Sequence, residues 1–502
     1  MQQAIPPPRQ VGQSLGFGCA IVALAFLLRL ADASLSSFHL DDFHSLHHAR
    51  ASSLGSFFDV LTQDNHPPLS FFVLRVLRSI LGEGEFVLRL PNVIYGTLSV
   101  ALAWRIGRRL PNREMRILGT ALFALSSLHL DLSSDLRMYA LLGMCVLGVL
   151  DASLDVLQPL ESGAGGSRSG LRLAAWTAAA LLSHYHSMHA LAIIVVVILS
   201  LVVSGNLLAA RVRSATIWAL VGVLFVSPWY ATGFRAQLGH DLAPGSSSVS
   251  VAILGESFVH LIFVRLELLG SLRPVLLGLG LLTFPLACFG LLRLLQGARR
   301  TVSGWALPAL LAGLAFLLPL WTAAMAWLQP RAGFEWRYLV AAIAPYCLLV
   351  GAAAGSGPLL KLRRSLLVAC LTGATALSLA HVMDAGREDY RAATLHLLEK
   401  AQPGDGVLGV EWSPRLFPRG IGWSYYAEQL GDGRELGLVS LDHTADFQLL
   451  GSERLSDLPR VHCLLRSVDN DVPLLNELRA FYPVEEKARF GEAIWVLSFS
   501  GE

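Results

Sequence analysis

Residues 15–42 read LGFGCAIVALAFLLRLADASLSSFHLDD, an apolar run that is closely followed by two adjacent aspartates, Asp41 and Asp42. The run near 15–32 is long enough to cross a bilayer, which takes about 17–25 residues. Carboxylates cost about 2.5–3.5 kcal/mol each at the centre of a span, so an acidic pair just outside one is a candidate for function. A solvated helix cap is the alternative. The stretch predicts a membrane anchor with carboxylates in the adjoining water layer.

The composition extends this prediction to the whole chain. Of 502 residues, 54% are hydrophobic and 15% charged, and the mean hydropathy is +0.54, which is typical of a polytopic membrane protein. The net charge of +2 argues against a nucleic-acid partner. Of the six cysteines, all but Cys463 lie in apolar runs, so neither a disulfide framework nor a cysteine zinc site is predicted.

Further apolar runs bring the predicted total to about eleven transmembrane helices. They lie near 15–32, 86–106, 116–131, 137–157, 171–185, 188–205, 214–231, 274–295, 304–327, 338–357 and 365–383. The predicted fold class is therefore an α-helical polytopic membrane protein, completed by a small C-terminal soluble α/β domain.

Basic residues predict the orientation, because Lys and Arg near span ends are retained in the cytoplasm. They cluster at Arg105–Arg116, Arg168–Arg172, Arg211–Arg213, Arg293–Arg300 and Lys361–Arg364. These loops alternate correctly in a plasma (inner) membrane if the amino terminus is cytoplasmic and the carboxyl terminus outside. Loops 32–85 and 232–273 then share the outer face. A signal peptide cleaved after Ala31-Asp32-Ala33 is the alternative for the first run, and an uncleaved anchor is preferred because the run is long.

The composition changes near residue 384, which predicts a transmembrane domain over 1–383 and an extracytoplasmic domain over 384–502. In the second domain, helices are predicted at Arg387–Gln402 and Leu474–Phe481. Strands are predicted at Val407–Trp412, Leu436–Leu441, Val461–Leu465 and Ile494–Phe499. A Gly/Ser-rich linker at Glu161–Gly170 is predicted to be a flexible cytoplasmic loop.

The chain lacks a GxxxxGK[ST] phosphate loop and a GxGxxG turn after a strand, so a cytosolic nucleotide is not the obvious donor. Any group transferred at the outer loops must come from elsewhere. A lipid-linked donor meets that need, because its phosphate lies at the membrane surface.

A series of short motifs occurs along about residues 15–405. The motifs are Asp41-Asp42, His66-Pro67-Pro68-Leu69-Ser70-Phe71-Phe72, Glu85-Phe86-Val87-Leu88-Arg89-Leu90-Pro91, Arg108-Arg109, Ser134-Asp135-Leu136-Arg137-Met138-Tyr139-Ala140, Ser183-His184-Tyr185, Trp336-Arg337-Tyr338 and Asp389-Tyr390-Arg391-Ala392-Ala393. In this order they resemble the GT-C membrane glycosyltransferases. The most similar group comprises the dolichyl-phosphate-mannose protein mannosyltransferases, the bacterial aminoarabinose lipid A transferases and the Rhizobium lipopolysaccharide-core glycosyltransferases.

The resemblance implies transfer of a sugar from a polyprenyl-phosphate carrier to a glycan, lipid or protein acceptor on the outer face, with inversion at the anomeric carbon. Such a displacement needs a base for the acceptor proton and an electrostatic partner for the departing phosphate. Asp41 matches the first acidic position of the family's loop motif and is expected to be the base or to orient the acceptor. Asp42 stands where many relatives carry Glu.

Five further residues belong to the expected site: an aspartate, two arginines and two tyrosines. Asp135 lies at the outer end of a span, where it is expected to hold the acceptor or a metal. Arg137 and Arg337 are expected to bind the donor phosphate, since a guanidinium binds phosphate oxygens in a bidentate fork. Tyr139 and Tyr338 are expected to orient these groups. Snorkelling at a span end is the alternative for each arginine.

Histidines are concentrated in the first outer loop. Asp41, Asp42, His44 and His48 are candidate ligands for a divalent Mn, Mg or Zn ion, and solvated imidazoles are the alternative. His66 precedes a proline, which favours an extended conformation, and it matches the family's turn. It is expected to have a structural or substrate-contacting role.

Two other functions are weighed against the transferase. A ligase or polymerase would also use polyprenyl-linked glycans, but such enzymes usually lack the early aspartate pair. A secondary transporter would place charges along an ion path between repeated halves. The sequence has no repeated half, and its polar residues collect at one face, so the transferase is preferred.

Overall fold

The computed structural model describes most of the chain. The described residues are 8–158, 166–238, 251–299, 304–328, 334–384, 388–410, 421–430, 439–440, 442–443, 449–450, 455, 457–466 and 473–501. They divide into two compact units. The first comprises Met1–Ala33, Ser52–Leu74 and Arg89–Val382, and the second comprises Ser34–Ala51, Arg75–Leu88 and Met383–Glu502. The predicted linker 161–170, the loop 232–273 and the strand ends at 411–412 and 436–438 lie partly or wholly outside the described residues.

The regular secondary structure of the described residues up to 384 is helical. They are α1 Pro8–Leu35, α2 Leu40–Ala49, α3 Leu54–Thr62, α4 Leu69–Leu81, α5 Glu85–Gly107, α6 Arg113–Ala124, α7 Ser127–Asp131, α8 Tyr139–Leu157, α9 Ser167–Ser183, α10 Ser187–Val203, α11 Ala209–Trp229, α12 Arg235–Gln237, α13 Val251–His260, α14 Arg273–Ala298, α15 Ala306–Ala312, α16 Leu318–Leu328, α17 Val340–Ala352 and α18 Leu360–Met383. The π-helical turns Tyr230–Phe234 and Gly313–Leu317 connect α11 to α12 and α15 to α16, and the 3-10 turns are Leu266–Leu272 and Trp336–Leu339.

Seven helical segments of the described chain are long and apolar enough to cross a membrane, which makes the protein a multi-pass membrane protein. They are Gly16–Leu35, Glu85–Gly107, Tyr139–Leu157, Ala209–Gln237, Leu266–Ala298, Ala306–Leu328 and Leu360–Met383. Two shorter apolar helices, Ser187–Val203 and Trp336–Ala352, coincide with two further predicted spans. The predicted span at 171–185 is the 17-residue helix α9.

The predicted span at 116–131 is wrong as a single helix, because α6 ends at Ala124 and α7 starts at Ser127. Ser126 breaks the helix: its hydroxyl accepts from the His129 amide at 3.3 Å and donates to the Leu261 carbonyl at 2.9 Å. The fully buried Arg29 of α1 donates to the Ala124 carbonyl at 3.4 Å. Side chains thus replace the backbone bonds that the break removes.

α8 is the central helix of the first unit, and each of its residues is buried. Its apolar residues occur all round the helix, which is typical of a helix enclosed by others. Gly148 permits close packing, since a Cβ there would lie 2.2 Å from the Trp176 ring of α9. α8 begins at Tyr139, so its packing fixes the position of the predicted site residues at its start.

The C-terminal part of the second unit is an α/β fold. Its elements are β1 Gly406–Val410, β2 Val439–Ser440, β3 Asp442–His443, β4 Leu449–Leu450, β5 Arg460–Arg466, β6 Val484–Phe490 and β7 Ile494–Ser500, with α19 Tyr390–Lys400, α20 Ile421–Leu430 and α21 Pro473–Phe481. The main sheet has the order β2-β1-β5-β7-β6, in which β1 is parallel to β2 and β5, and β7 is antiparallel to β5 and β6.

The small α/β domain predicted from the sequence is confirmed as a fold, with shifted bounds. Asp389 caps α19 by accepting from the Ala392 amide at 2.9 Å, so the helix begins at Tyr390 rather than Arg387. β6 was not predicted. Three of its charged residues, Glu486, Lys487 and Arg489, occupy exposed positions of an edge strand, where charge disfavours pairing with other chains.

Candidate functional site

Several connections of the first unit bring polar side chains together. They are the turn before α4, the bend before α8, the loop between α9 and α10, and the 3-10 turn before α17. The residues are Asp64, His66, Arg137, Tyr139, His184, His186, Arg337 and Tyr338, which we call the arginine-histidine cluster. It contains five of the predicted site residues.

His66 connects a carboxylate to a guanidinium within the cluster. Its Nδ1 lies 3.3 Å from Asp64 Oδ1, and its Nε2 lies 3.3 Å from Arg137 Nη2. A guanidinium has only donors, so Arg137 donates to Nε2, and Nδ1 carries the ring proton and donates to Asp64. All three side chains are buried. Asp64 therefore fixes the tautomer of His66, and His66 orients Arg137.

Two amide side chains fix the backbone around these residues. The Asn92 amide of α5 donates to the Arg137 carbonyl at 2.8 Å and to the Asp135 carbonyl. The Gln237 amide of α12 donates to the His66 carbonyl at 3.0 Å and to the Leu61 carbonyl at 2.6 Å. Both amides are buried, so neither backbone segment depends on solvent for its hydrogen bonds.

Aromatic and imidazole rings form the rest of the cluster. The His184 ring lies 5.3 Å from His66, 5.4 Å from Tyr139 and 6.0 Å from Tyr338. His186 stacks on Tyr338 with centroids 4.0 Å apart. Arg337 lies over the face of Tyr139, with its Cζ 5.4 Å from the ring centroid. This cation–π contact holds the second guanidinium against the start of α8.

The histidines of the α9–α10 loop are neutral. Burial lowers the pKa of His184 well below its ordinary value, and the neighbouring His186, His66, Arg137 and Arg337 lower it further. Burial and the neighbouring His189 and His66 lower the pKa of His186 to about 3. Positive charge in the cluster therefore resides on the arginines.

Asp41 and Asp42 belong to the second unit, in the first turn of α2. Asp42 is fully buried, and its Oδ2 accepts from the backbone amide of His39 at 3.1 Å. It thus satisfies an amide that precedes the helix. Asp41 is partly exposed, and its carbonyl accepts from the Ser45 hydroxyl. The two adjacent carboxylates are therefore in different environments.

The metal-ligand candidates His44 and His48 lie one turn apart on α2, with ring centroids 4.5 Å apart. Both are buried. His48 Nδ1 lies 2.8 Å from the His44 carbonyl, so it carries the proton and leaves Nε2 as the potential ligand. A hydrogen bond from the other ring nitrogen is typical of metal-binding histidines. The tautomer of His48 therefore suits a histidine that binds a divalent ion.

Contacts within the second unit join the segment before α2 to the C-terminal α/β fold. Tyr426 of α20 accepts from the Phe38 amide at 2.7 Å and donates to Glu85 at 2.8 Å. Glu388 accepts from the Leu40 amide at 2.8 Å and from Arg466 at 2.6 Å. The start of α2, and with it the aspartate pair, is thus positioned by residues 348 to 388 positions later in the chain.

The structure brings His66, Arg137, Tyr139, Arg337 and Tyr338 together in the first unit, which also contains Asp135. Asp41, Asp42, His44 and His48 share α2 in the second unit. The sequence prediction missed Asp64, Asn92 and Gln237. The Asp-x-His spacing of Asp64 could have indicated the first contact, whereas nothing in the sequence pattern marks the other two.

The comparisons with known proteins agree with this fold. Residues 65–231 match the family model described as dolichyl-phosphate-mannose-protein mannosyltransferase. The chain is similar to the crystal structure of ArnT from Cupriavidus metallidurans bound to undecaprenyl phosphate, with a TM-score of 0.54 and 13% identity, over 96% of this chain and 98% of that chain. No protein of curated function matches the sequence significantly.

A second similar fold is that of an archaeal oligosaccharyltransferase. The chain is similar to AglB from Archaeoglobus fulgidus in complex with an inhibitory peptide and a dolichol-phosphate, with a TM-score of 0.51 and 12% identity, over 91% of this chain and 70% of that chain. The chain is also similar to the oligosaccharyltransferase of the same organism in complex with Zn and sulfate, with a TM-score of 0.51 and 12% identity, over 89% of this chain and 68% of that chain.

At these identities the similar structures establish the fold alone. The family match adds sequence evidence over the segment that contains His66, Arg137 and His184. Residues 65–231 thus match the mannosyltransferase family model, and the chain as a whole has a fold similar to that of the ArnT structure.

Proposed function

We propose that the protein transfers a sugar from a polyprenyl-phosphate donor to an acceptor on the extracytoplasmic face of the inner membrane, with inversion at the anomeric carbon. The observation that carries the proposal is the pair of arginines, Arg137 and Arg337, in one cluster where burial lowers the pKa of His184 and His186. Two fixed guanidinium groups suit a phosphate, which they bind by charge-assisted hydrogen bonds. The similar ArnT structure is bound to undecaprenyl phosphate, which supports the class of carrier.

The proposed reaction is a single displacement. The acceptor hydroxyl gives its proton to a carboxylate, and its oxygen forms a bond to the anomeric carbon. The bond from that carbon to the phosphate oxygen breaks, and its electron pair leaves with the polyprenyl phosphate. Arg137 and Arg337 stabilise the charge that develops on the leaving phosphate.

Asp41 is the proposed base. Asp42 is fully buried and accepts from the His39 amide, which favours a positioning role for it. Asp41 is partly exposed on the same turn of α2, so an acceptor hydroxyl can approach it. Asp135, whose carbonyl accepts from Asn92, is proposed to orient the acceptor.

A divalent Mn, Mg or Zn ion is included in the proposal, with the buried His44 and His48 among its ligands. The tautomer of His48 supports it, and the similar archaeal structure is a complex with Zn. A bound ion would hold the acceptor oxygen as a Lewis acid.

The experiment measures transfer of labelled sugar from a panel of polyprenyl-phosphate sugars to lipid, glycan and protein acceptors in membrane extracts. We expect Arg137→Gln and Arg337→Gln each to lower kcat/KM by at least about tenfold, because each loses a charge-assisted hydrogen bond of about 1.5–3 kcal/mol. Arg213→Gln, at an exposed residue of α11, is the control and should match the native protein.

Three outcomes, two of the transfer assay and one of a parallel uptake assay, would contradict the proposal. Transfer that is independent of the lipid-linked donor would remove the polyprenyl phosphate from the reaction. Saturable uptake of labelled sugar into proteoliposomes without a carrier would favour the transporter. Transfer of preassembled glycans, but not of single sugars, would favour a ligase or polymerase.

A further inference from the structure

One nitrogen of His184 has no hydrogen-bond partner among the described residues, although the side chain is only 5% exposed. The other nitrogen, Nδ1, accepts from the His186 amide at 3.0 Å. Since Nδ1 is an acceptor and the ring is neutral, Nε2 carries the proton. A buried N–H donor without a partner is uncommon in folded proteins, so the Nε2–H of His184 is suited to bind an acceptor atom of a ligand.

The surroundings of His184 indicate the chemistry of that ligand. The His184 ring lies 5.3 Å from His66, which contacts Arg137, and 5.4 Å from Tyr139, over which Arg337 lies. The charge of both arginines also lowers the pKa of the imidazole. Two guanidinium groups and a neutral N–H together present donors and no acceptor. Asp64, the acid in the cluster, already accepts from His66. The complement of this arrangement is an anion with several acceptor oxygens.

We propose that His184 donates a hydrogen bond from Nε2–H to a phosphate oxygen of the lipid-linked donor, beside Arg137 and Arg337. This inference rests on the proposed function and adds a third phosphate-binding residue to it. The bond is a neutral one, so it adds no charge that would hold the product. It strengthens as the bond from the anomeric carbon to the phosphate oxygen breaks and that oxygen gains charge.

The loop before α10 is suited to this role. The bond from the His186 amide to Nδ1 fixes the tautomer of His184, and His186 is itself stacked on Tyr338. Tyr185 lies between His184 and His186 in the sequence. Its hydroxyl donates to Gln237, whose amide donates to the carbonyl of His66. Hydrogen bonds of this loop thus hold both the His184 ring and, through Gln237, the backbone at His66.

A matched pair of variants tests the role of Nε2. The amide nitrogen of glutamine reaches the position of Nε2, so His184→Gln keeps the donor. The side chain of asparagine reaches only the position of Nδ1, so His184→Asn keeps the acceptor for His186 and loses the donor. Binding of a short-chain polyprenyl phosphate is measured in detergent for both, with polyprenol and inorganic phosphate as separate probes.

We expect His184→Asn to weaken binding of the polyprenyl phosphate about tenfold, to leave binding of the polyprenol unchanged and to lower kcat by at least as much. His184→Gln should bind within about threefold of the native protein. Weaker binding of inorganic phosphate by His184→Asn would place the contact on the phosphate group itself. Equal binding by the two variants, whether native or reduced, would overturn the inference.

The arginine variants separate this inference from the proposed function. If Arg137→Gln and Arg337→Gln bind the polyprenyl phosphate as the native protein does, the proposed site is refuted. If they lose binding and His184→Asn does not, the inference about His184 alone falls. In the native protein, ¹⁵N-histidine NMR gives a measurement independent of folding: the Nε2–H signal of His184 should shift on addition of polyprenyl phosphate, and an unchanged signal would contradict the contact.

Discussion

Arg137 differs from a surface arginine because its orientation is imposed by other side chains. His66 accepts from it, and Asp64 holds His66 in the tautomer that can accept. Asp64 acts through His66, so it is a positioning residue in the proposed reaction. The effect of removing its charge should therefore appear in the geometry of Arg137 rather than in the fold.

We predict that Asp64→Asn lowers kcat of sugar transfer by about ten- to hundredfold, since a hydrogen bond that involves a charged group contributes about 1.5–3 kcal/mol. An asparagine can present its amide to His66 and so favour the wrong tautomer. Asp59→Asn, at an exposed residue of α3, is the matched control. Equal kcat for the two variants would show that the tautomer of His66 does not matter.

The low pKa of His186 gives a second prediction at this scale. Burial and the neighbouring His189 and His66 lower this pKa to about 3, so the neutral form should persist throughout pH 5–8. The sign follows from the lowered pKa: protonation of His186 would begin only well below the ordinary histidine range. ¹³C-histidine NMR, with the signal assigned from His186→Gln, should show no titration there. A midpoint near pH 6.5 would contradict the buried, neutral environment.

At the scale of elements, α2 carries the aspartate pair and depends on α20 for its position. Tyr426 accepts from the amide of Phe38 and donates to Glu85, while its ring packs 6.1 Å from Phe43 of α2. The C-terminal part of the second unit is therefore a scaffold for the segment that begins α2.

We predict that Tyr426→Phe keeps the ring packing but lowers sugar transfer at least about fivefold, because the buried amide of Phe38 loses its acceptor at a cost of about 1–3 kcal/mol. Tyr482→Phe is the matched control. Its hydroxyl donates to the carbonyls of Leu455 and Leu458, far in sequence from α2, so it should lower thermal stability without a comparable loss of transfer. A similar loss in both variants would argue against a scaffold role.

The elements also show how far the sequence predicts the structure. Long apolar runs such as 86–106 and 365–383 correspond to helices because burial in lipid requires both their length and their composition. The break at Leu125 could not be predicted, since it depends on Arg29 and on the Leu261 carbonyl, which are distant in sequence. β6 was missed because an edge strand with charged side chains has little of the apolar pattern that marks a strand.

Some residues of the candidate site could likewise be predicted from the sequence, and others could not. Motif resemblance singled out Arg137, Arg337 and His66, and the structure places them in one cluster. The contact of Asp64 with His66 is local, whereas Asn92 and Gln237 act through backbone carbonyls and leave no side-chain pattern in the sequence. Only the fold identifies residues of that kind.

At the scale of the whole molecule, the proposed orientation requires the amino terminus to be cytoplasmic and the C-terminal domain to be outside. We predict that, in a variant with its six cysteines replaced by alanine, Ser52→Cys is labelled in intact cells by a membrane-impermeant maleimide. Ser204→Cys and Gly297→Cys, both exposed and near predicted cytoplasmic basic loops, should be labelled only after permeabilisation. The reverse labelling pattern would show that the amino terminus is outside and the C-terminal domain cytoplasmic.

The most direct test of the central claim is transfer of labelled sugar from polyprenyl-phosphate donors by the native protein, Asp41→Asn and Asp42→Asn, each checked for membrane insertion. We predict that Asp41→Asn lowers kcat by about 10²–10⁴-fold, the usual contribution of a general base. Asp42→Asn, which keeps an acceptor for the His39 amide, should lose less. Unchanged transfer in both variants would contradict the proposed mechanism.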